Sequence, residues 1–454
     1  MLLNTSKNNQ PNLFHSQLRD MLDSHDPLIV LADTISWEEF DKSFAKYYSD
    51  EGRPAKPIRM MVGLLLLKQI ENLSDENVVL QWKRNPYYQY FCGMSEYQPA
   101  LPCDPTELVK FRQRIGKKGV EKIFEMSVRM HGKDAEEKQV IVDTTVQEKN
   151  VTYPTDGKLA MKMIHHLHKI AKAEGIQLRR TYVKEIKQHR ISLRFFRHPK
   201  KIKKARAAMK RLETITGILI RDIQRNLSED KHSHYEETFG VFKKVIGQKQ
   251  KDKHKIYSLH EPHIYAIAKG KDHKKYEYGV KASIVTTQKS GIIIGVAAHA
   301  TNEHDSKTLK TALQSANANR TSPVQEAICD RGYRGVKEVE GATVSIPGRP
   351  LKRDTKYQRE LKRKKFRRRA AIEPLIGHLK ADHRLSRNYL KGFVGDEINL
   401  LLAATAFNLK KWMNHFFTFI FMLKAAMFAY VLMATPKEER NKFAELYPIL
   451  FRLC

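Results

Sequence analysis

The chain has 454 residues with 82 Lys+Arg against 50 Asp+Glu, a formal net charge of +32 and a sequence pI near 9.8. Its 41% hydrophobic content excludes a disordered chain and is enough for a sizeable core, and a prior of about 150 residues per domain allows two or three domains. A charge excess of this size repels itself in a compact fold unless a polyanion is present. Nucleic acid is therefore the first partner to consider and an acidic membrane surface the second.

The four cysteines, Cys92, Cys103, Cys329 and Cys454, form no CxxC pair and lack the Cys/His spacing of a structural zinc site, which reads as a reduced, intracellular protein. Met1 to Asp20 carries polar residues where a signal peptide needs an apolar run, which argues against export. Phe416 to Ala434 is apolar for nearly the length of a membrane span but is interrupted by Lys424. A single late span would not explain the charge, so a buried C-terminal helix or an association surface is expected there, with no membrane partner.

In chain order, the first part, to about Lys133, reads as helical. Pro57 stands at a first helical position, and Met60, Met61, Leu64, Leu65 and Ile70 follow on a broad apolar face. Ser74 can cap a second helix bearing Val78, Val79 and Trp82, which stops at Asn85-Pro86. A third opens at Asp104-Pro105-Thr106-Glu107 with capping-box spacing and displays Lys110, Arg112 and Arg114. Two short capped helices followed by an Arg-bearing one suit a helix-turn-helix reader and equally a small bundle with a solvated basic face.

From Gln139 the pattern changes to strands. Val140-Ile141-Val142 ends on Asp143, Tyr276–Thr287 and Gly291–Ala298 flank a turn, and a helix capped by Asp305 or Ser306 turns Leu309 and Leu313 inward. Ala327-Ile328-Cys329 ends on Asp330, Thr343–Ile346 closes at Pro347-Gly348, and after a basic run a helix begins near Pro374. Strands and helices in this order predict an α/β layer with crossovers. Between the first and second strands lies an insertion, about 154–275, whose stretch 158–225 holds 20 basic and 4 acidic residues with recurring apolar positions, so basic helices are expected. Residues 351–369 add 11 basic against 2 acidic. Charge focused in two places points to docking surfaces.

Two aspartates that each end a short apolar strand are costly at a sheet rim unless a cation resolves them. Taken singly, each is more simply a solvated strand end or a helix cap. Glu373 lies four residues after Arg369 and seven before Lys380, so one helical stripe would read base, acid, base. Pro374 lacks an N–H, so either the helix kinks there or a new one starts at it. His165, His166 and His168, in one basic stretch without a carboxylate pair, suit a metal poorly. Gly332 and Gly335 do not have phosphate-loop spacing and shape the turn after Asp330.

These segments resemble a known family. Asp143 in Ile-Val-Asp-Thr-Thr-Val, Asp330 in Cys-Asp-Arg-Gly-Tyr-Arg-Gly and Glu373 in Ile-Glu-Pro-Leu-Ile-Gly-His-Leu-Lys are similar to the acidic triad of the DDE transposases of bacterial insertion sequences. Arg369, Glu373 and Lys380 match the Y-x2-R-x3-E-x6-K pattern of one branch, with Phe366 in place of the tyrosine, which puts the phenolic phosphate contact in question. The likeness extends to Tyr153–Asp156, Glu277–Lys281, Asn302–Ser306 and the stretch Arg53–Gly116, and is nearest to the insertion sequence five group.

The resemblance implies an α/β ribonuclease H-like catalytic core with a basic, mainly helical insertion, preceded by an all-α helix-turn-helix-like DNA-binding domain. The expected boundaries are 1–135 for the N-terminal domain, 136–411 for the catalytic domain and 412–454 for an apolar helical tail. It also implies cleavage at element ends and strand transfer into target DNA. Asp143, Asp330 and Glu373 would hold two Mg²⁺ ions, for which Mn²⁺ can substitute, about 3.5 to 4 Å apart. Arg369 and Lys380 would contact phosphates. Further DNA contacts are expected from Lys110, Arg112 and Arg114 and from Lys200, Lys201, Lys203 and Lys204. The expected partners are double-stranded DNA, as terminal inverted repeats and target, and further copies of the chain in a homodimer or larger complex in the bacterial cytoplasm, at the nucleoid. A non-catalytic DNA-binding derivative and a structure-specific nuclease on the same fold are the rival readings.

Overall fold

The computed structural model describes residues 16–49, 51, 54–196, 198–249, 251–271, 274–348 and 353–434. The N-terminal part is helical: α1 Leu18–Met21, α2 Pro27–Thr34, α3 Trp37–Ala45, α4 Ile58–Ile70, α5 Asp75–Arg84, α6 Pro86–Phe91 and α7 Pro105–Arg129. Pro57 is the cap residue before α4, one position earlier than its sequence suggests, and almost all of α4 is buried, Lys68 and Gln69 included. A helix apolar all round must be wrapped by others, and α3, α5, α7 and the last helix provide this packing. Ser74 Oγ accepts from Asn77 N at 3.1 Å to cap α5, and Asp104 accepts from Thr106 N at 2.8 Å to cap α7. Gly116, at φ +56°, breaks α7 midway with a backbone conformation that a side chain would strain.

Next come β1 Gln139–Glu148, then α8 Asp156–Ala173, α9 Val183–Leu193, α10 Ile202–Asn226 and α11 Glu229–Gly247. The basic stretch is helical, as its apolar periodicity predicts, and it folds on a core of its own that includes Leu167, Leu212, Ile215, Phe239 and Phe242. The chain then re-enters the sheet as β2 Tyr265–Lys271, β3 Lys274–Thr287 and β4 Ile293–His299. An insertion running to about 275 would contain β2, so the sheet begins earlier than its sequence suggests. The Lys and Gly residues of β2 resemble a linker, and it becomes a strand by pairing along β3.

After α12 Asp305–Ala318 follow β5 Glu326–Ile328, β6 Glu338–Val339 and β7 Ala342–Ser345, then α13 Lys356–Arg369, α14 Ile372–Ala381 and α15 Gly392–Ala434. Leu309 and Leu313 are buried as expected, but His304 caps α12, its ring nitrogen accepting from Ser306 N. Between β5 and β7, which pair in parallel, the chain makes a 3-10 turn and the short strand β6 in place of a crossover helix. The sheet order is β2-β3-β1-β5-β7-β6, with β4 also on β3. β1 is thus central, antiparallel to β3 and parallel to β5. One apolar core runs from the N-terminal helices through the sheet to α15. The helix α15 extends through the apolar stretch, but most side chains of Phe416 to Ala434 lie outside the described residues. Among the described residues no helix is long and apolar enough to cross a membrane.

Candidate active site

The parallel pairing of β1 with β5 positions the two aspartates. Ile141 is opposite Ile328, so Asp143 and Asp330 each lie two residues beyond a matched pair. Side chains two apart along a strand share a face, which brings both carboxylates to one rim. Asp143 is not a strand end, because β1 continues to Glu148; the rim arises because β5 stops at Ile328. Asp143 Oδ1 accepts from Thr144 N at 2.7 Å, and Asp330 Oδ1 accepts from Gly332 N at 2.8 Å, starting the 3-10 turn Arg331–Tyr333.

Burial pushes the Asp143 carboxyl up to about 6. The Thr144 amide and Arg369 oppose that rise, while the charges of Asp330 and Asp305 add to it. The Tyr333 hydroxyl is buried with no hydrogen-bond partner among the described residues, and it is pushed up first by burial and then by Cys329 and the same three aspartates. Burial likewise pushes up the Cys329 thiol, which is no candidate nucleophile.

Glu373 reaches the site from a different element. The basic run before it is itself helical, as α13, and a break at Ala370 and Ala371 separates it from α14. Pro374 falls at the third position of α14, where an N–H would have no intrahelical partner, so the structure has a second helix in place of a kink. Arg369 ends α13 with Nη1 3.7 Å from Asp143 Oδ2 and Nη2 3.9 Å from Glu373 Oε1. Its guanidinium therefore stands between two of the acids. The end of α13 is fixed by Lys365, paired with Glu326, and by Arg368 Nε donating to Gln288 O at 3.0 Å. The Glu373 side chain is 67% exposed, against 19% for Asp143. Lys380 is half-buried at the end of α14, and Phe366 lines a groove between α13 and β7 beside Val344 and Ile346.

A fourth acid is not singled out by the sequence. Asp305 Oδ1 accepts from Thr144 Oγ1 and from Lys281 Nζ, each at 3.1 Å. A Cβ on Gly332 would come within 2.9 Å of both Asp305 Oδ2 and Asp330 Oδ1, so only glycine lets these carboxylates approach around that turn. The available signal is Asn302–Ser306, but Asp305 reads as a helix start because that is also where it is.

The other expected DNA contacts are dispersed. Lys110 and Arg114 are exposed on α7, and Arg114 lies over the Tyr48 ring at 4.6 Å. Arg112 is corrected: its side chain is 4% exposed and grips Asp75 with both terminal nitrogens, at 2.8 and 2.6 Å, while Lys68 Nζ is 2.8 Å from the same carboxylate. It faces the helical core because its neighbours Leu108, Phe111 and Ile115 set that face of α7. Lys200, Lys201, Lys203 and Lys204 are exposed at the start of α10.

An all-oxygen donor set with one carboxyl pushed up, first by burial and then by neighbouring aspartates, suits a hard divalent cation. Asp143 and Asp330 fit that requirement. Among the described residues no group of three or more His, Cys, Asp or Glu is gathered for a metal ion, and Glu373 is turned to Arg369 instead.

Residues 16–114 match the family described as transposase domain (DUF772), and residues 246–409 match the transposase DDE domain. The chain belongs to the DDE transposases. It is 38% identical over 192 residues, 41% of this chain and 93% of the relative, to a protein of Rhizobium meliloti described as uncharacterized protein ORF8 in nfe locus. No solved structure matches. Membership makes the chain a nucleic-acid-processing transposase, with DNA as a partner and a family that generally uses divalent metal ions. The DDE match contains Asp330 and Glu373 and begins after Asp143. Strand β1 nonetheless pairs with β3 and β5, both inside the match, and the helices α8 to α11 lie in the intervening sequence.

Proposed function

We propose that this transposase, of the insertion sequence five group, cleaves DNA at the ends of its element and joins the freed 3′-hydroxyl to target DNA. In this reading Asp143, Asp330 and Glu373 hold the metal. The observation that carries it is the matched placement of Asp143 and Asp330, each two residues beyond the last pair of β1 with the parallel strand β5, with Arg369 linking Asp143 to Glu373. Two Mg²⁺ ions held there would supply activation of the attacking water or 3′-hydroxyl and stabilisation of the leaving oxygen. The chain's own residues do the remainder. Arg369 and Lys380 orient the phosphates beside the scissile bond, and Asp305 fixes Thr144 and Lys281 around Asp143. No protein nucleophile is required.

The helical part before residue 136 is assigned to recognition of the terminal inverted repeats, with exposed Lys110 and Arg114 as its contacts. The basic insertion is assigned to docking of the DNA end. Strand joining at two ends calls for at least a dimer, and the substrate places the reaction at the bacterial nucleoid. The test is Mg²⁺-dependent cleavage of an element-end duplex. Asp143→Ala, Asp330→Ala and Glu373→Ala should each abolish cleavage and retain binding. Robust cleavage in excess chelator would overturn the metal reading, and a pre-nicked end that is never joined to a second duplex would leave a nuclease.

A further inference from the structure

The insertion carries a second basic site away from the acids. On α8, Lys158, Lys162 and His165 are exposed at spacings of four and three residues, and on α9 and its cap Arg190 and Arg194 are exposed four apart. Such spacings return to one face of a helix. Both stripes line a single cleft of about 700 Å³ with Met161 and Leu193 on its walls and Thr152 and Thr155 beside them. The helices approach closely because residue 157 is glycine: a Cβ there would lie 2.6 Å from Leu193 Cδ1.

Among the described residues no acid lines this cleft. Lys158 Nζ donates to Tyr153 O at 3.3 Å and Lys162 Nζ to Thr152 Oγ1 at 3.0 Å, both neutral acceptors. Among the described residues Lys158, Lys162, Arg190 and Arg194 have no ion-pair partner. The acid of α9, Glu185, is taken by Arg180, His189 and Arg211. Like charges converging without a counter-charge repel one another, and a polyanion relieves that repulsion. From Lys158 to His165 the stripe is about 10 Å long, on the order of three base-pair rises, too long for one phosphate. The Met161 and Leu193 walls offer apolar contact to the sugars between phosphates.

We propose that this cleft is a docking site for the sugar-phosphate backbone of one DNA strand, distinct from the lysines that open α10. The inference rests on the transposase reading above and adds a position to it. Nine residues separate Asp143 from Thr152, so the cleft edge lies at most about 32 Å from the acids along the chain. At 3.4 Å per step, the near end of the docked backbone is within about nine base pairs of the scissile phosphate, less than one duplex turn.

Binding and footprinting use the full chain without divalent metal, and a parallel cleavage assay adds Mg²⁺, each on a duplex carrying the terminal inverted repeat that borders its own reading frame. Lys162→Ala/Arg190→Ala/Arg194→Ala should lower the slope of log K against log salt by about 2.7, which is three phosphate contacts. It should also lose hydroxyl-radical protection of the backbone within about nine base pairs of the cleavage position while retaining protection further away. Arg190→Lys/Arg194→Lys, which keeps the charge, should retain both. If the parent binds and cleaves while the triple variant keeps its slope and footprint, this inference falls and the transposase reading stands. Equal loss in the charge-retaining variant also overturns it. If the parent neither binds nor cleaves the end, the transposase reading itself fails.

Discussion

The carboxyl of Asp143 gives the sharpest handle on the site, because its raised proton affinity predicts a stability change of definite sign. Going from the ordinary 3.8 to about 6, it binds a proton more tightly in the folded protein than in the unfolded chain. Linkage then makes folding stability fall as pH rises from about 4 to about 6 and stay flat above. A shift of about 2 units at 1.36 kcal/mol each gives a loss of about 3 kcal/mol. Asp143→Asn keeps an oxygen to accept from the Thr144 amide and cannot ionise. In metal-free protein it should therefore match the parent at pH 4 and exceed it by about 2 to 3 kcal/mol at pH 7. The assay is denaturant unfolding across that range in chelator. Adding Mg²⁺ at pH 7 should about cancel that gap, since metal at 100 times its dissociation constant adds about 2.7 kcal/mol to the parent alone. A parent-variant difference independent of pH, or equal Mg²⁺ stabilisation of both proteins, would refute the reasoning.

Other outcomes follow from the same geometry. Arg112→Ala should destabilise the fold by about 3 to 5 kcal/mol while leaving the DNA affinity of the folded protein unchanged, because it breaks a buried ion pair. Burial pushes Asp75 up, but hydrogen bonding to Arg112 and the charge of Lys68 outweigh it and bring the carboxyl down to about 2. The deficit seen by urea unfolding should accordingly be full above pH 4 and shrink as pH falls toward 2. Lys380→Ala should slow single-turnover cleavage on saturating DNA at least about tenfold, or roughly 1.4 kcal/mol of barrier, with little loss of binding. A parental rate there would make the Glu373 stripe a surface ladder. Phe366→Tyr should retain or raise the rate in the same assay. Neutralising Lys200, Lys201, Lys203 and Lys204 together should lower the salt slope of DNA binding by about 3.6, and an unchanged slope would mean a merely solvated helix end.

Local chemistry is legible in the sequence wherever one residue type determines the outcome. Ser74, Asp104 and the Asn85-Pro86 stop act as their caps and missing N–H require. Asp143 and Asp330 are legible because an acid following an apolar run is conspicuous. Their shared register is not, since it depends on the pairing of β1 with β5 across a long separation in the chain, which a local pattern does not encode. Asp305 is hidden because a helix start explains it equally well, until Thr144 and Lys281 are seen to bind it. Arg112 misleads because its basic neighbours Lys110 and Arg114 are exposed, and only the packing of α7 separates a residue facing Asp75 from residues facing water.

In the proposed reaction the position of α13 would link DNA docking to the acids. This helix buries none of its residues and holds nine Lys/Arg against Glu360, so its own packing contributes little to its stability and its charges oppose it. It is held by the capping box of Thr355 with Gln358 and by tethers near its end, Lys365 to Glu326 and Arg368 to the β3–β4 turn. A phosphate backbone laid along α13 would neutralise the repulsion and compete for those cations. Arg369, the next residue, would then exchange Asp143 and Glu373 for a phosphate. Two carboxylates that now share a guanidinium would be left facing each other, an arrangement that strongly favours a divalent cation. In that case the exposed position of Glu373 would belong to the DNA-free protein, and docking and metal uptake would both be read through the same arginine.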